Sequence, residues 1–542
     1  MVAIFFILYF FTPTNVLADI GDPSYFSLNK SLDQSIIVDT LVDEFDTDGD
    51  CSIREALTAA NNNTQVDSCA AGSFTTDTIS FIVSGTITLQ STLQINEDGP
   101  IIIDGNNQIV IDGNSSVRVF YVEDFANITL QNLTVKGGFA PSGAGGGLLN
   151  WYGTVLITNT QFIENEAATS GGGLFNGYGI IIIENSAISN NNARNGGGLW
   201  NEGEIVIDNS TFSGNIATSN GGGIYNDYQK NAVITNTTIS ANSAIAGGGL
   251  YNNGITSISL TTITNNQSQG IEGSGGGICN AGGLITLTES SISDNSSSTT
   301  GGGISSSTSE IFDITILNIS NSSFINNSAV QGGGISLGQG NYEINNSLFA
   351  DNFAEKGGGI FLYSGNLNVV NSTFVENSAS FDGGGLMNYV GKIIAKNNTI
   401  TRNSAGRSGG GIFNETPNTT FINSILSDND PGRNCFGIPI DGGNNIDSEN
   451  FCHFNVTINS KIYTDPLLDI LADNGGATLT IAIPEISPAV DAANADNCPS
   501  TDQRGIIRPM DGNSDGLAIC DIGSFEYTTQ IINNYLPLLL SP

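Results

Sequence analysis

Between Gly145 and Asn429 the chain sets short apolar runs between glycine and asparagine in one fixed order, eleven times over. A Gly-Gly-Gly triplet opens each period, starting at Gly145, Gly171, Gly196, Gly221, Gly247, Gly275, Gly301, Gly332, Gly357, Gly383 and Gly409, at intervals of 25–31 residues. Ile or Leu follows every triplet, then a variable residue, then usually Asn, as in Gly196-Gly197-Gly198-Leu199-Trp200-Asn201. A β-rich run comes next (Val155-Leu156-Ile157, Ile181-Ile182-Ile183, Ile205-Val206-Ile207). After it stand usually Asn, Phe or an aliphatic three residues on, and Asn again three later, as at Asn209, Phe212 and Asn215.

Such a period predicts three short strands separated by Gly and Asn corners, one coil of a solenoid per repeat. Gly and Asn tolerate the left-handed backbone that sharp corners need. Strands stacked coil on coil pair in parallel about 4.8 Å apart, so identical residues form ladders and the Asn side chains can bond one another along them. A helical-repeat solenoid is disfavoured by a Gly triplet and β-branched run in every period, and collagen by the missing Gly-x-y period. Three earlier coils lacking triplets are expected among Ile79-Ser80-Phe81-Ile82, Ile101-Ile102-Ile103, Ile109-Val110-Ile111 and Ile128-Thr129-Leu130, giving a rod of about 65 Å.

A parallel solenoid ends in an open apolar edge that must be covered. Before the coils, Cys51-Ser52-Ile53-Arg54-Glu55-Ala56 opens a predicted helix: Ser52 and Glu55 form a capping box, and Ile53, Leu57 and Ala60 share one face. This hexapeptide, with Leu57 to Asn61, resembles the CSLREA motif of secreted bacterial β-helix proteins, Ile53 replacing its Leu. The repeats are similar to those of the chlamydial polymorphic outer-membrane proteins, GGA[ILV] with FxxN becoming GGG[IL] with Phe162-Ile163-Glu164-Asn165 and Phe324-Ile325-Asn326-Asn327. That resemblance implies an all-β, right-handed parallel β-helix of the pectin-lyase-like type, about 25 residues per coil.

After Asp430-Pro431-Gly432 the pattern breaks. Asp465-Pro466-Leu467-Leu468, Asp473 to Thr480, Ser487-Pro488-Ala489-Val490-Asp491, Asp502-Gln503-Arg504-Gly505 and Cys520 to Tyr527 together resemble the choice-of-anchor Q domain, whose members are exported bacterial proteins. The expected organisation is a signal peptide at 1–18, an N-terminal cap at 19–77, the β-helix at 78–430, the anchor-type unit at 431–527 and a tail at 528–542.

The formal charge of −37, from 52 acidic and 15 basic residues, excludes nucleic acid and anionic membrane surfaces as natural partners. Met1 to Ala18 has an apolar centre and a small-residue end and reads as a secretion signal cleaved before Asp19, an uncleaved anchor being the alternative. Three local cysteine pairs outside the repeats, Cys51 with Cys69, Cys435 with Cys452 and Cys498 with Cys520, fit disulfides of an exported protein. Cys279 stands alone within a coil as a small buried side chain. A secreted or cell-surface protein follows.

Candidate chemistry is sparse. The residue after the core-facing Ile or Leu should point outward along a regular strand, so Phe175, Trp200, Tyr225 and Tyr251 are expected as an exposed stripe suited to stacking on sugar rings. The alternative is that a glycine corner buries the column. One residue before the later Asn ladder, Asp351, Glu376 and Arg402 fall on three consecutive coils. Adjacent carboxylates beside an Arg suit a polysaccharide lyase, or simply a solvated charge ladder. Only seven Lys or Arg lie between Gly145 and Asn429, and no catalytic motif is recognisable. Calcium is the one cofactor suggested: Asp511, Asn513 and Asp515 match the first half of a calcium loop, but Ile522 stands where Glu should close it, and Asp46-Thr47-Asp48-Gly49-Asp50 matches less well. The expectation is a non-catalytic β-helix for adhesion or glycan binding to a polysaccharide or a neighbouring cell surface. A lyase or hydrolase of acidic polysaccharide and a structural surface protein are the alternatives.

Overall fold

A computed structural model describes residues 34–96, 99–308 and 315–528. The expected secretion signal and the tail from 529 onward lie outside these residues. The chain is a parallel β-solenoid of about fourteen turns, with a fourteen-stranded sheet that contributes one strand per turn.

The coil from Gly196 to Asn220 shows how the sequence makes each turn. Leu199–Asn201 pairs in parallel with Leu174–Asn176 below and Ile224–Asn226 above. Glu204–Asp208 follows, with Ile205 and Ile207 buried and Val206 facing out. Thr211–Ser213 buries only Phe212, and a two-residue strand, Ile216–Ala217, closes the coil. The corners fall where the chain can turn left-handed: φ is +44° at Asn209, +65° at Gly214 and +58° at Gly196.

Stacking turns the inward residues into columns. Phe324, Phe349 and Phe374 lie ring over ring with centroids 4.8 and 4.7 Å apart. Asn165, Asn191, Asn215, Asn242, Asn266, Asn295, Asn327, Asn352, Asn377, Asn403 and Asn429 form a continuous ladder in which each side-chain amide donates to the next Oδ1 at 2.8–3.1 Å. A second ladder runs through Asn150, Asn176, Asn201, Asn226, Asn252 and Asn280.

The triplets are glycine for reasons of space. A Cβ on Gly197 would stand 2.4 Å from the Ile216 carbonyl oxygen and 2.6 Å from that of Gly222. Both obstacles are backbone, so nothing flexible can yield. Gly197→Ala is expected to cost about 1–3 kcal/mol, read as lost hydrogen-exchange protection in the coils on either side.

The N-terminal edge is closed by helix Ile53–Asn62, which buries Ile53, Ala56, Leu57, Ala59 and Ala60 and carries the expected capping box. Arg54 grips Asp43 with two bonds of 2.8 and 2.7 Å, and Cys51–Cys69 ties the helix start to the chain that follows it. The other two expected pairs, Cys435–Cys452 and Cys498–Cys520, are also disulfides.

Strand pairing continues beyond the last triplet through Cys435–Phe436, Ile440–Asp441, Ile446–Asp447 and Lys461–Ile462. The chain then folds back along the outside of the last coils. Asn371 Nδ2 donates to the Thr501 carbonyl at 2.7 Å, Asn397 Nδ2 to that of Asp521 at 3.1 Å, and the Ser524 amide to Thr399 Oγ1 at 3.1 Å. The outward residues of the coils change accordingly. Where the wall is free they are hydroxylic, as at Thr211, Ser213, Thr238 and Ser240. Where the returning segment lies they include Leu348, Ala350 and Val375, packed with Ile481.

Candidate functional site

The expected aromatic column exists as a register: Phe175, Trp200 and Tyr225 are directly opposed on neighbouring strands, as are Tyr225 and Tyr251. It is not an open stripe. Phe175 and Tyr225 are buried, while Trp200 and Tyr251 are half-buried. Two contacts cover them. The rings stack on one another, Trp200 on Tyr225 at 3.8 Å and Tyr225 on Tyr251 at 4.8 Å, and the backbone at the start of each triplet leans against the column, so that a Cβ on Gly221 would lie 3.0 Å from that of Tyr225. Burial raises the Tyr225 phenol far above its ordinary value and pushes Tyr251 up to about 12. These hydroxyls stay protonated and serve only as neutral hydrogen-bonding groups.

The exposed rings sit a few residues later, on the corner between this sheet and the next strand. Phe125, Trp151, Tyr152, Tyr178 and Tyr228 all project there, Phe125 being 71 % exposed and Tyr178 52 %. Tyr152 stacks on Tyr178 at 5.3 Å and on Phe125 at 6.3 Å, and Trp151 stacks on Phe175 at 6.1 Å. These corner rings therefore join the half-covered column into one surface. Lys230 places its ammonium 5.1 Å above the Tyr178 ring, and Trp200 Nε1 donates to Glu202 Oε1 at 3.0 Å. Burial raises the Glu202 carboxyl, the Trp200 bond opposing it. A shallow groove of about 220 Å³ lies between Tyr178, Glu202, Gly203, Glu204, Gln229, Lys230 and Asn231. The arrangement brings aromatic rings, an acid, a base and amide groups to one shallow surface. The signal was present in the sequence as aromatics standing between Gly, Asn or Asp at corners: Trp151-Tyr152-Gly153, Gly177-Tyr178-Gly179, Asp227-Tyr228.

A second group of rings lies on the same corner further along the rod. Tyr363 stacks on Tyr389 at 5.3 Å, with Phe361 6.5 Å from Tyr363, and Phe413 stacks on Phe436 at 4.7 Å. Tyr363, Tyr389 and Phe436 are exposed.

Asp351, Glu376 and Arg402 do come together. All three occupy left-handed corners, φ +56°, +57° and +53°, and Arg402 Nε stands 3.5 Å from Glu376 Oε1. Desolvation first and Glu376 second raise the Asp351 carboxyl. Arg402 also donates to the Asp469 carbonyl of the returning segment at 3.3 Å, so its guanidinium is already occupied. An ion pair this exposed contributes at most about 1 kcal/mol.

Asn513 and Asp515 open consecutive Asx turns, and Asp511 lies over both. Asp511 accepts the amides of Asp515 and Gly516 at 3.1 and 2.9 Å, and Asn513 Oδ1 accepts Asp515 N–H at 2.9 Å. Among the described residues, the three acidic groups whose oxygens converge within 4.8 Å are Glu44, Asp48 and Asp50 in the N-terminal cap. The carboxyls of Glu44 and Asp50 are raised, by desolvation first and then by Asp48. Cys279 is a free, buried thiol that burial pushes up to about 11 and that contacts Ser274 Oγ at 3.4 Å, leaving it without nucleophilic character.

The sequence profile of the Chlamydia polymorphic membrane protein (Chlamydia_PMP) repeat matches residues 209–227, part of one coil's length spanning Asn209, Phe212, Asn215 and the Gly221 triplet. Among solved structures, the crystal structure of pectate lyase Pel9A is similar at 14 % identity, over 92 % of this chain and 97 % of that one, with a TM-score of 0.25. No curated protein matches the chain.

Proposed function

We propose that the protein is an exported, non-catalytic β-helix that adheres to polysaccharide through the aromatic corner. The observation that carries this reading is the surface formed by Trp151, Tyr152, Tyr178 and Tyr228 with Lys230 and Glu202 around the adjoining groove. Three disulfides support an oxidising, extracellular setting. The polymorphic-membrane-protein repeat supports a place at a cell surface. The cap built on Cys51, Ser52, Arg54 and Glu55 fits a CSLREA-type start, and 431–527 fits a choice-of-anchor Q unit. Replacing Trp151 and Tyr178 together by Ala should weaken retention on immobilised neutral polysaccharide about tenfold or more while leaving the circular-dichroism melt unchanged. Undiminished retention would sink the aromatic reading.

The Glu376–Arg402 pair beside the raised Asp351 supports a second reading, cleavage of an acidic polysaccharide. It requires reducing ends to be released by the purified chain and Glu376→Gln to abolish that release. No release from any acidic polysaccharide, with and without calcium, would remove it.

A further inference from the structure

The two groups of corner rings lie on one edge of an in-register stack. The unbroken register runs Tyr225, Tyr251, Cys279, Ser305, Ser336, Phe361, so Tyr228 and Tyr363 are five coil steps apart. At the parallel strand spacing this separation is about 24 Å. Among the described residues, the intervening corners carry no ring: Asn253-Gly254, Ala281-Gly282-Gly283 and Gly338-Gln339 take the places that Tyr228 and Tyr363 hold elsewhere. Among the described residues the ring sites therefore fall at two stations, each built at the pitch of the coils.

We propose that both stations grip a single linear, neutral polysaccharide laid along the rod axis, the chain bridging from the Trp151–Tyr228 cluster to the Tyr363–Tyr389 cluster. This rests on the reading of the corner as a glycan surface. Three observations favour such an occupant. Tyr152 over Tyr178 and Tyr363 over Tyr389 repeat one arrangement at centroid distances of 5.3 Å, so a ligand that also repeats along its length meets equivalent rings, and one sugar unit of an extended glycan is close to one coil step. The overall charge of −37, with Glu202, Glu204 and Asp227 at the first station, repels a polyanion and leaves a neutral chain favoured. Finally, two weak sites held at fixed separation by a stiff rod convert the second contact into an intramolecular one, which raises avidity without any new contact.

The test uses the full chain and the neutral polysaccharides glucan, mannan and xylan, each as polymer and as a length ladder of oligomers. Two variants remove one station each: Trp151→Ala, Tyr152→Ala, Tyr178→Ala and Tyr228→Ala together, and Tyr363→Ala with Tyr389→Ala. These side chains are exposed, and unchanged melting confirms folding. The bridging geometry predicts that polymer binding falls about 100-fold on loss of either station. Oligomers too short to span about 24 Å should bind weakly and be affected by one variant only, and affinity should rise steeply at the bridging length. Polymer and short oligomer losing equally little, with no length threshold, would overturn bridging while leaving glycan binding intact. Binding to none of the polysaccharides would overturn the glycan reading itself. Retention by a folded protein partner through the same rings would replace the polysaccharide with that partner.

Discussion

Asn266→Ala is expected to lower the stability of its neighbourhood by about 4–6 kcal/mol, more than any exposed substitution on the rod. The side chain accepts from the backbone amide and the side-chain amide of Asn242 at 3.0 and 2.9 Å. It donates to the Ile239 carbonyl at 2.8 Å and to Asn295 Oδ1 at 3.0 Å. Truncation takes the acceptor from the Asn242 backbone amide and from one hydrogen of its side-chain amide, and a donor from the Ile239 carbonyl, each loss costing about 1–3 kcal/mol. Transmission of the effect should be short. Each coil touches only the coils beside it, so the loss belongs to the coils between Gly221 and Asn295, and a single unfolding free energy is the wrong quantity to measure. Native-state hydrogen exchange should show protection lost there and retained near Ile103 and Phe374. Thr262→Ala, at an exposed position on the same coil, should change protection by less than about 0.5 kcal/mol. Equal effects from the two substitutions would show that the ladder contributes no more than the surface.

The returning C-terminal segment should loosen as pH rises through about 8. Arg508 and Glu526 have fully buried side chains and pair at 3.2 Å, and Asp502 pairs with Arg504 at 2.7 Å. Asp521 adds a third carboxyl to two guanidinium groups. It accepts the amides of Asp491 and Tyr527, but desolvation and then repulsion from Glu526 push its carboxyl up to about 8. The native segment thus holds a proton that the unfolded chain releases near 4, the ordinary aspartate value. Its contribution to stability is fully present below that value, declines as pH climbs, and is lost once pH passes about 8, with a slope of at most about 1.4 kcal/mol per pH unit. Melting followed by a probe on residues 501–527 should shift downward between pH 5 and pH 9. Asp521→Asn should flatten that dependence, and a variant retaining the full slope would show that the shared proton lies elsewhere. Arg508→Ala should detach the segment at every pH, because removing one partner of a buried pair costs about 3–5 kcal/mol.

The architecture was legible because the triplets, the Asn columns and the alternating aliphatics each state one constraint and all agree on a stacked coil. Even the column containing Trp200, Tyr225 and Tyr251 was placed in its proper register. Its exposure stays open at the level of sequence because strand alternation says which way a side chain leaves the backbone and nothing about what leans over it. Ser274 against Cys279 and Thr300 against Ser305 at 3.1 Å show the chain before each triplet doing so. The corner rings escaped for the complementary reason: turn residues obey no period, so Tyr178 between two glycines read as a connection instead of a site. Asp502, Arg504 and Glu526 stand within one motif-bearing stretch, but their burial depends on a segment that packs on coils 124–156 residues earlier in the chain, which no local spacing encodes. In the calcium half-loop the backbone amides of Asp515 and Gly516 each donate to one oxygen of Asp511.

The axial hydrogen bonds also give the rod a direction of wear. Among the described residues the wall strands pair with the coil above and the coil below, as in a fibril, so these strands offer a protease no free edge to draw into its cleft. Fraying must begin at a terminus. One terminus is held by a disulfide-pinned helix and the other by a segment folded back over the last coils. How long the rod survives proteolysis is then set by the opening rate of its two closures, and lengthening the rod by further repeats would leave that lifetime unchanged.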